Sequence, residues 1–153
     1  MVKVNRFKSH ELSKLLSSFK PNCLIVVTHP SCGHCGRFRP IKERFYNELE
    51  NNYEGDSEVF DIHGHLLEDA KNEIPPLNYV HGYPTILANK DTDNNIEYNG
   101  DRTVDNLLRF MKENFELKKK QNGGKKSKKH KKSKKNKKSK KHNKNKKSKK
   151  HKK

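Results

Sequence analysis

Beyond Leu117 this 153-residue chain contains no large apolar residue, and that boundary decides how much of it can fold. From Lys118 to Lys153 there are 22 lysines and no acidic residue, and all 12 aromatic residues lie at or before Phe115. A segment with nothing apolar to bury cannot offset the entropy of ordering its backbone. Residues 118–153 are therefore expected to form a disordered, Lys-rich low-complexity tail, while residues 1–117 are long enough for one hydrophobic core. Charge divides at the same place. Removing the 22 tail lysines from the chain's 36 Lys and Arg leaves 14 against 18 Asp and Glu, a net of −4. The formal +18 of the whole chain thus describes the tail, and the body is mildly acidic.

Within the body, hydrophobic spacing predicts alternating strands and helices. Val2–Asn5 reads as a short edge strand. Ser9 is an N-cap candidate for a helix whose apolar face is Leu12, Leu15, Leu16 and Phe19, closed by Pro21 and Asn22. The continuous apolar run Cys23–Val27 suits a strand buried on both faces. After the turn His29-Pro30-Ser31, a helix opens near Cys32 with Phe38, Ile41, Phe45 and Leu49 at helical spacing. Pro40 sits inside that pattern, which requires either a break or an accommodated kink. Val59–Ile62, Pro84–Leu87 and Asn95–Tyr98 read as strands, Leu66–Lys71 as a helical turn, and Thr103 as the cap of a last helix carrying Val104, Leu107, Leu108, Met111 and Phe115. The order implies an α/β fold with a central mixed sheet between helices, parallel in its first half and antiparallel in its closing hairpin.

Cys32-Gly33-His34-Cys35 stands at the junction of the buried strand and the long helix. A thiol there meets unsatisfied backbone N–H groups and the positive end of the helix dipole, which stabilise its anion. Cys32 is accordingly the candidate nucleophile. Cys35, one turn on and more buried, is the candidate resolving thiol that attacks a mixed disulfide and releases the substrate. Cationic His34 would add positive charge beside the thiolate and make the disulfide more oxidising, by about 30 mV per 1.4 kcal/mol. A zinc site would need four ligands. Only Cys23 remains as a third cysteine, and His63 and His65 are separated by a single residue. A c-type haem motif would need His where Gly36 stands. Cys23 reads as a small core residue, and His63, His65 and His81 as ordinary surface or satisfied residues. No metal and no cofactor beyond the redox disulfide Cys32–Cys35 is expected.

Four elements in order carry a resemblance: Cys32-Gly33-His34-Cys35, Pro40, Gly82-Tyr83-Pro84-Thr85, and Tyr98-Asn99-Gly100-Asp101-Arg102-Thr103. Over roughly residues 20–115 the chain resembles the thioredoxin superfamily, and within it the catalytic domains of protein disulfide isomerase. The resemblance implies a thioredoxin fold and thiol–disulfide exchange with protein thiols and disulfides. It makes Pro40 the kinking proline and Pro84 a cis-proline against the Cys32–Cys35 loop, with the backbone beside Tyr83 free to pair with an extended substrate. It makes Arg102 the arginine that approaches the buried cysteine and eases its ionisation. The family usually places a buried acid six residues before the first cysteine and an aromatic just before it. Here those positions are Val26 and Ser31. Proton transfer from Cys35 must then use water or another group, and slower resolution of mixed disulfides is expected. A scaffold that only binds peptides beside Pro84 is the alternative function.

The tail repeats Lys-Lys-Ser-Lys-Lys-His/Asn from Lys125, Lys131, Lys137 and Lys146. Such charge density repels itself and binds polyanions by counterion release. Nucleic acid is the leading partner, ahead of anionic membranes and acidic proteins, and simple solubilisation is the alternative. No apolar block of signal-peptide type follows Met1 and no run is long enough for a membrane span. The expectation is an intracellular protein, cytoplasmic or nuclear, or one associated with virions if the source is viral.

Overall fold

The computed structural model describes residues 1–121. In chain order the elements are β1 (Val4–Phe7), α1 (Leu12–Ser18), β2 (Cys23–Thr28), α2 (Gly33–Asn52), β3 (Tyr53–Glu54) and β4 (Glu58–His63). They continue with α3 (Leu67–Ala70), β5 (Thr85–Asn89), β6 (Asn95–Glu97), α4 (Val104–Asn114) and β7 (Lys118–Lys119). Five strands form one sheet in the order β1-β4-β2-β5-β6. β4 pairs in parallel with β1 and β2, whereas β5 runs antiparallel to β2 and β6. This is the mixed sheet expected from the sequence.

β2 lies at the centre, and every residue from Cys23 to Val27 is buried because both faces of the sheet are covered. Leu24, Val26 and Val59 face a core shared with Phe38, Phe45 and Leu49 of α2 and Leu107 and Met111 of α4. Cys23, Ile25 and Val27 face the other core, with Leu15 of α1 and Leu67 of α3. α2 runs uninterrupted through Pro40. Pro40 and Gly36 are both exposed, so water can serve the carbonyl that Pro40 leaves without a donor. Thr103 caps α4 as its position predicts, its Oγ1 accepting from Asn106 N at 3.2 Å.

Several local expectations are corrected. The edge strand is Val4–Phe7, set by its register against β4, where Val4 pairs with Val59 and Phe7 with Ile62. Ser9 does not cap α1. The N-cap is Glu11, whose carboxylate turns back to accept from Lys8 N at 2.7 Å. The proline-rich stretch forms a 3₁₀ turn over Pro75–Tyr79. The compact unit reaches Gln121, past the boundary expected at Leu117. Lys118 and Lys119 form β7 against β3, and Lys120 donates from its N to Asn52 O and from Nζ to Glu50 O at the C-terminal end of α2. Backbone pairing is indifferent to lysine side chains that stay in water, and a cation suits a helix C-terminus. The rest of the basic segment expected to be a disordered tail, residues 122–153, lies outside the described residues. Among the described residues no helix is long and apolar enough to cross a membrane.

Candidate active site

The end of β2 and the loop His29–Ser31 deliver Cys32 to the N-cap of α2, where its Sγ accepts from Cys35 N at 3.3 Å. The Cys32 thiol also donates to Tyr83 O at 3.4 Å. Cys35 lies one turn inward and is buried, its Sγ accepting from His29 N at 3.5 Å. Both thiols are free. Their acidities diverge. The hydrogen bond from the Cys35 thiol, then the N–H groups of Cys35 and His34 and the charge of Arg102, hold Cys32 below the ordinary thiol range. Burial, reinforced by the neighbouring Cys32, pushes Cys35 up to about 11 despite the His29 N–H and Arg102.

The structure gathers the other predicted site residues around this pair. The Tyr83–Pro84 peptide bond is cis, and Pro84 is buried while Tyr83 is half-exposed beside Cys32. Arg102 is exposed, with its guanidinium carbon 6.0 Å from the Phe38 ring centre. Gly33 is exposed and a Cβ there would meet nothing within 4 Å, so packing does not demand glycine. His34 is exposed. Its Nδ1 lies 2.8 Å from Arg37 Nη2. The backbone N–H of His34 also favours the Cys32 thiolate.

Residues 3–113 match the family model described as Thioredoxin. The chain belongs to the thioredoxin family. Its relatives include the protein disulfide-isomerases of Ricinus communis and Saccharomyces cerevisiae, 31% and 30% identical over 94 and 110 residues. Those matches cover 61% and 70% of this chain and 18% and 19% of the relatives, so the chain spans about a fifth of their length. The first thioredoxin domain of mouse protein disulfide-isomerase A4 superposes with a TM-score of 0.51 at 23% identity, covering 74% of this chain and 79% of that one. That likeness speaks for the fold alone.

Around its cysteines this thioredoxin domain carries a grouping of histidines that their spacing in the chain does not suggest. His29, His63 and His65 come together, with ring centres 4.6 Å apart for His29–His65 and 4.8 Å for His63–His65, and His29 also packs against Tyr83 at 5.3 Å. Burial and the two neighbouring imidazoles push His63 below the ordinary histidine value. Among the described residues no group of three His, Cys, Asp or Glu side chains is arranged to hold a metal ion. Cys23 lies on the opposite sheet face from the pair, and burial pushes it up to about 12.

Behind Cys35, Lys42 of α2 donates to Asp61 Oδ2 of β4 at 2.8 Å, with each side chain only 11% exposed. The pair had a legible signal. Lys42 interrupts the helical stripe Cys35, Phe38, Phe45, Leu49, and Asp61 occupies an α2-facing position in the otherwise apolar strand Val59–Ile62.

Proposed function

We propose that the protein is a thiol–disulfide oxidoreductase acting on protein thiols and disulfides through Cys32 and Cys35. The observation that carries this reading is the pairing of an anion-stabilised thiol at a helix N-cap with a buried second thiol one turn behind it. The Cys32 thiolate attacks one sulfur of a substrate disulfide, forming a mixed disulfide and expelling the other sulfur as a thiolate. Cys35, once deprotonated, attacks Cys32 Sγ, closes the Cys32–Cys35 disulfide and releases the second substrate sulfur. Run in reverse, the same steps oxidise a substrate dithiol, and the relative potentials of the two couples set the direction. Tyr83 O, already in contact with Cys32 Sγ, provides a backbone acceptor beside the reacting sulfur for an extended substrate. Arg102 stands where its charge favours both thiolates, in keeping with a part in ionising Cys35.

Insulin reduction driven by dithiothreitol tests the reading. Wild-type protein should accelerate precipitation of the insulin B chain, Cys32→Ser should abolish the effect, and Cys35→Ser should accumulate a mixed disulfide with substrate at Cys32. Unchanged turnover in Cys32→Ser would leave only a peptide-binding role for this face.

We extend the proposal to the basic segment. Residues 122–153 hold 19 lysines and no acid, a composition suited to holding the domain on a polyanion such as nucleic acid. Affinity for a DNA duplex should fall steeply with salt and vanish on deleting residues 122–153. Binding that survives the deletion would refute the tether.

A further inference from the structure

Resolution of a mixed disulfide requires the Cys35 thiol to lose its proton. Burial, the largest influence on it, raises that thiol above the ordinary range, so at neutral pH only a small fraction is ionised. A nearby base therefore governs the step. Val26, at the family's usual acid position, is 1% exposed and has nothing to offer a proton. One strand over, in register with Val26, stands Asp61.

Asp61, Lys42 and Cys35 line one cavity of about 510 Å³ between α2 and the ends of β2 and β4. That is ample space for several waters, each needing about 30 Å³. Lys42 occupies Oδ2, and the buried Tyr46 hydroxyl, which among the described residues has no other hydrogen-bond partner, stands beside the same carboxylate. His63 lines the cavity too, but its Nδ1 accepts from His65 N at 3.4 Å, which puts the ring hydrogen of the neutral imidazole on Nε2 and leaves no free lone pair.

We propose that Asp61 is the proton acceptor for Cys35 in the resolving step, acting through water in this cavity, with Lys42 holding its carboxylate ionised and in place. The inference rests on the dithiol-exchange reading and deepens it. Charged and titratable groups meet Asp61 from each neighbouring element: Arg6 from β1, its register partner, and Lys42, Glu43 and Tyr46 from α2, while β2 contributes only Val26. Burial raises the Asp61 carboxyl above its ordinary value and Lys42 opposes the rise. A carboxylate so placed binds a proton more readily than a solvated one.

The step balances. The Cys35 proton passes through water to Asp61, and the Cys35 thiolate attacks Cys32 Sγ. The Cys32–Cys35 bond forms as the bond from Cys32 to the substrate sulfur breaks, and that sulfur departs with the electron pair. The protein dithiol is oxidised by two electrons, the substrate disulfide is reduced by two, and Asp61 returns its proton to the leaving thiolate or to solvent.

Stopped-flow reaction of the reduced full-length protein with excess 5,5′-dithiobis(2-nitrobenzoate) separates the two half-steps. Attack by Cys32 releases the first thionitrobenzoate at a rate proportional to reagent. Resolution by Cys35 releases the second at a rate independent of it. In Asp61→Asn the first phase should match wild type, while the second at neutral pH should slow by about 10²-fold, the scale of general-base assistance. It should also climb tenfold per pH unit toward Cys35's own ionisation. Asp61→Glu should recover most of the wild-type rate and profile. Should Asp61→Asn fail to fold because it strands Lys42 without its counterion, Lys42→Met/Asp61→Asn removes both charges and carries the same expectation. A second phase in these variants with wild-type rate and pH profile overturns the assignment. A wild-type protein showing no reagent-independent second phase overturns the exchange reading and this inference together.

Discussion

Replacing Val26 by aspartate should make stability depend on pH in a way that the native valine does not. Val26 is 1% exposed and is the register partner of Asp61 across the parallel β2–β4 pair. Neighbouring strands lie about 4.8 Å apart and side chains in register share a sheet face, so the introduced carboxyl would stand about 5 Å from that of Asp61. At an effective dielectric near 20, two carboxylates at that distance repel by about 3 kcal/mol, or about 2 pH units on the second ionisation. Lys42 and Arg6 offset part of this, leaving about 2–3 kcal/mol. Losing the buried valine side chain costs a further ~1.5 kcal/mol that does not depend on pH, and Val26→Asn isolates that part. The pair's folded-state affinity for its last proton is raised above the unfolded value. The associated stability is therefore fully present below about pH 4 and lost as pH rises through the raised value. Urea unfolding of the reduced proteins, followed by far-ultraviolet circular dichroism, should show Val26→Asp and Val26→Asn nearly equal at about pH 4 and about 2–3 kcal/mol apart at pH 8. A gap of the same size at both pH values would refute the shared field, and with it the placement of Asp61 beside the family's acid position.

Iodoacetamide should modify Cys32 first, with a rate that reaches half its plateau below pH 9.0, the ordinary thiol value, while Cys35 and Cys23 stay protected; peptide mapping that finds either labelled as fast as Cys32 contradicts the assignment. Gly64→Ala should impair the site from a distance, because a Cβ there would lie 2.9 Å from His29 Cδ2 and 3.1 Å from Tyr83 Cε1. Displacing the groups that flank both cysteines should lower insulin turnover by about ten- to hundredfold, whereas wild-type turnover would show that this wall yields freely. Ending the chain at Leu117 instead of Gln121 removes β7 and the bonds from Lys120 to Glu50 and Asn52. Urea unfolding should find the shorter chain less stable by about 1–3 kcal/mol, and equal stability would return the domain boundary to Leu117.

The division between what was legible and what was not follows the range of the interactions. The buried strand Cys23–Val27, the long helix behind Cys32 and the Thr103 cap rest on residues within a few positions of one another, where periodicity and backbone chemistry act directly. The placement of Cys32 at a helix N-cap and the burial of Cys35 one turn on follow from the same local pattern. Ser9 does not cap because α1 begins only after Glu11, whose carboxylate turns back to Lys8.

Cross-strand partners lie beyond any such pattern. β3 and β7 are two residues each and carry no alternation to read, so the lysines at 118 and 119 joined the fold only because the C-terminus of α2 and Tyr53–Glu54 lay within reach. The amino-acid sequence by itself determined that a thioredoxin-like dithiol stands at a strand-to-helix junction and that Val26 cannot take a proton. Only the tertiary structure decided that a carboxylate returns one strand over as Asp61, paired with Lys42 from the helix that carries Cys35. The reason is physical: a buried charge is tolerated where a counterion meets it, and strand register and helix packing, which the linear order does not encode locally, bring that counterion there.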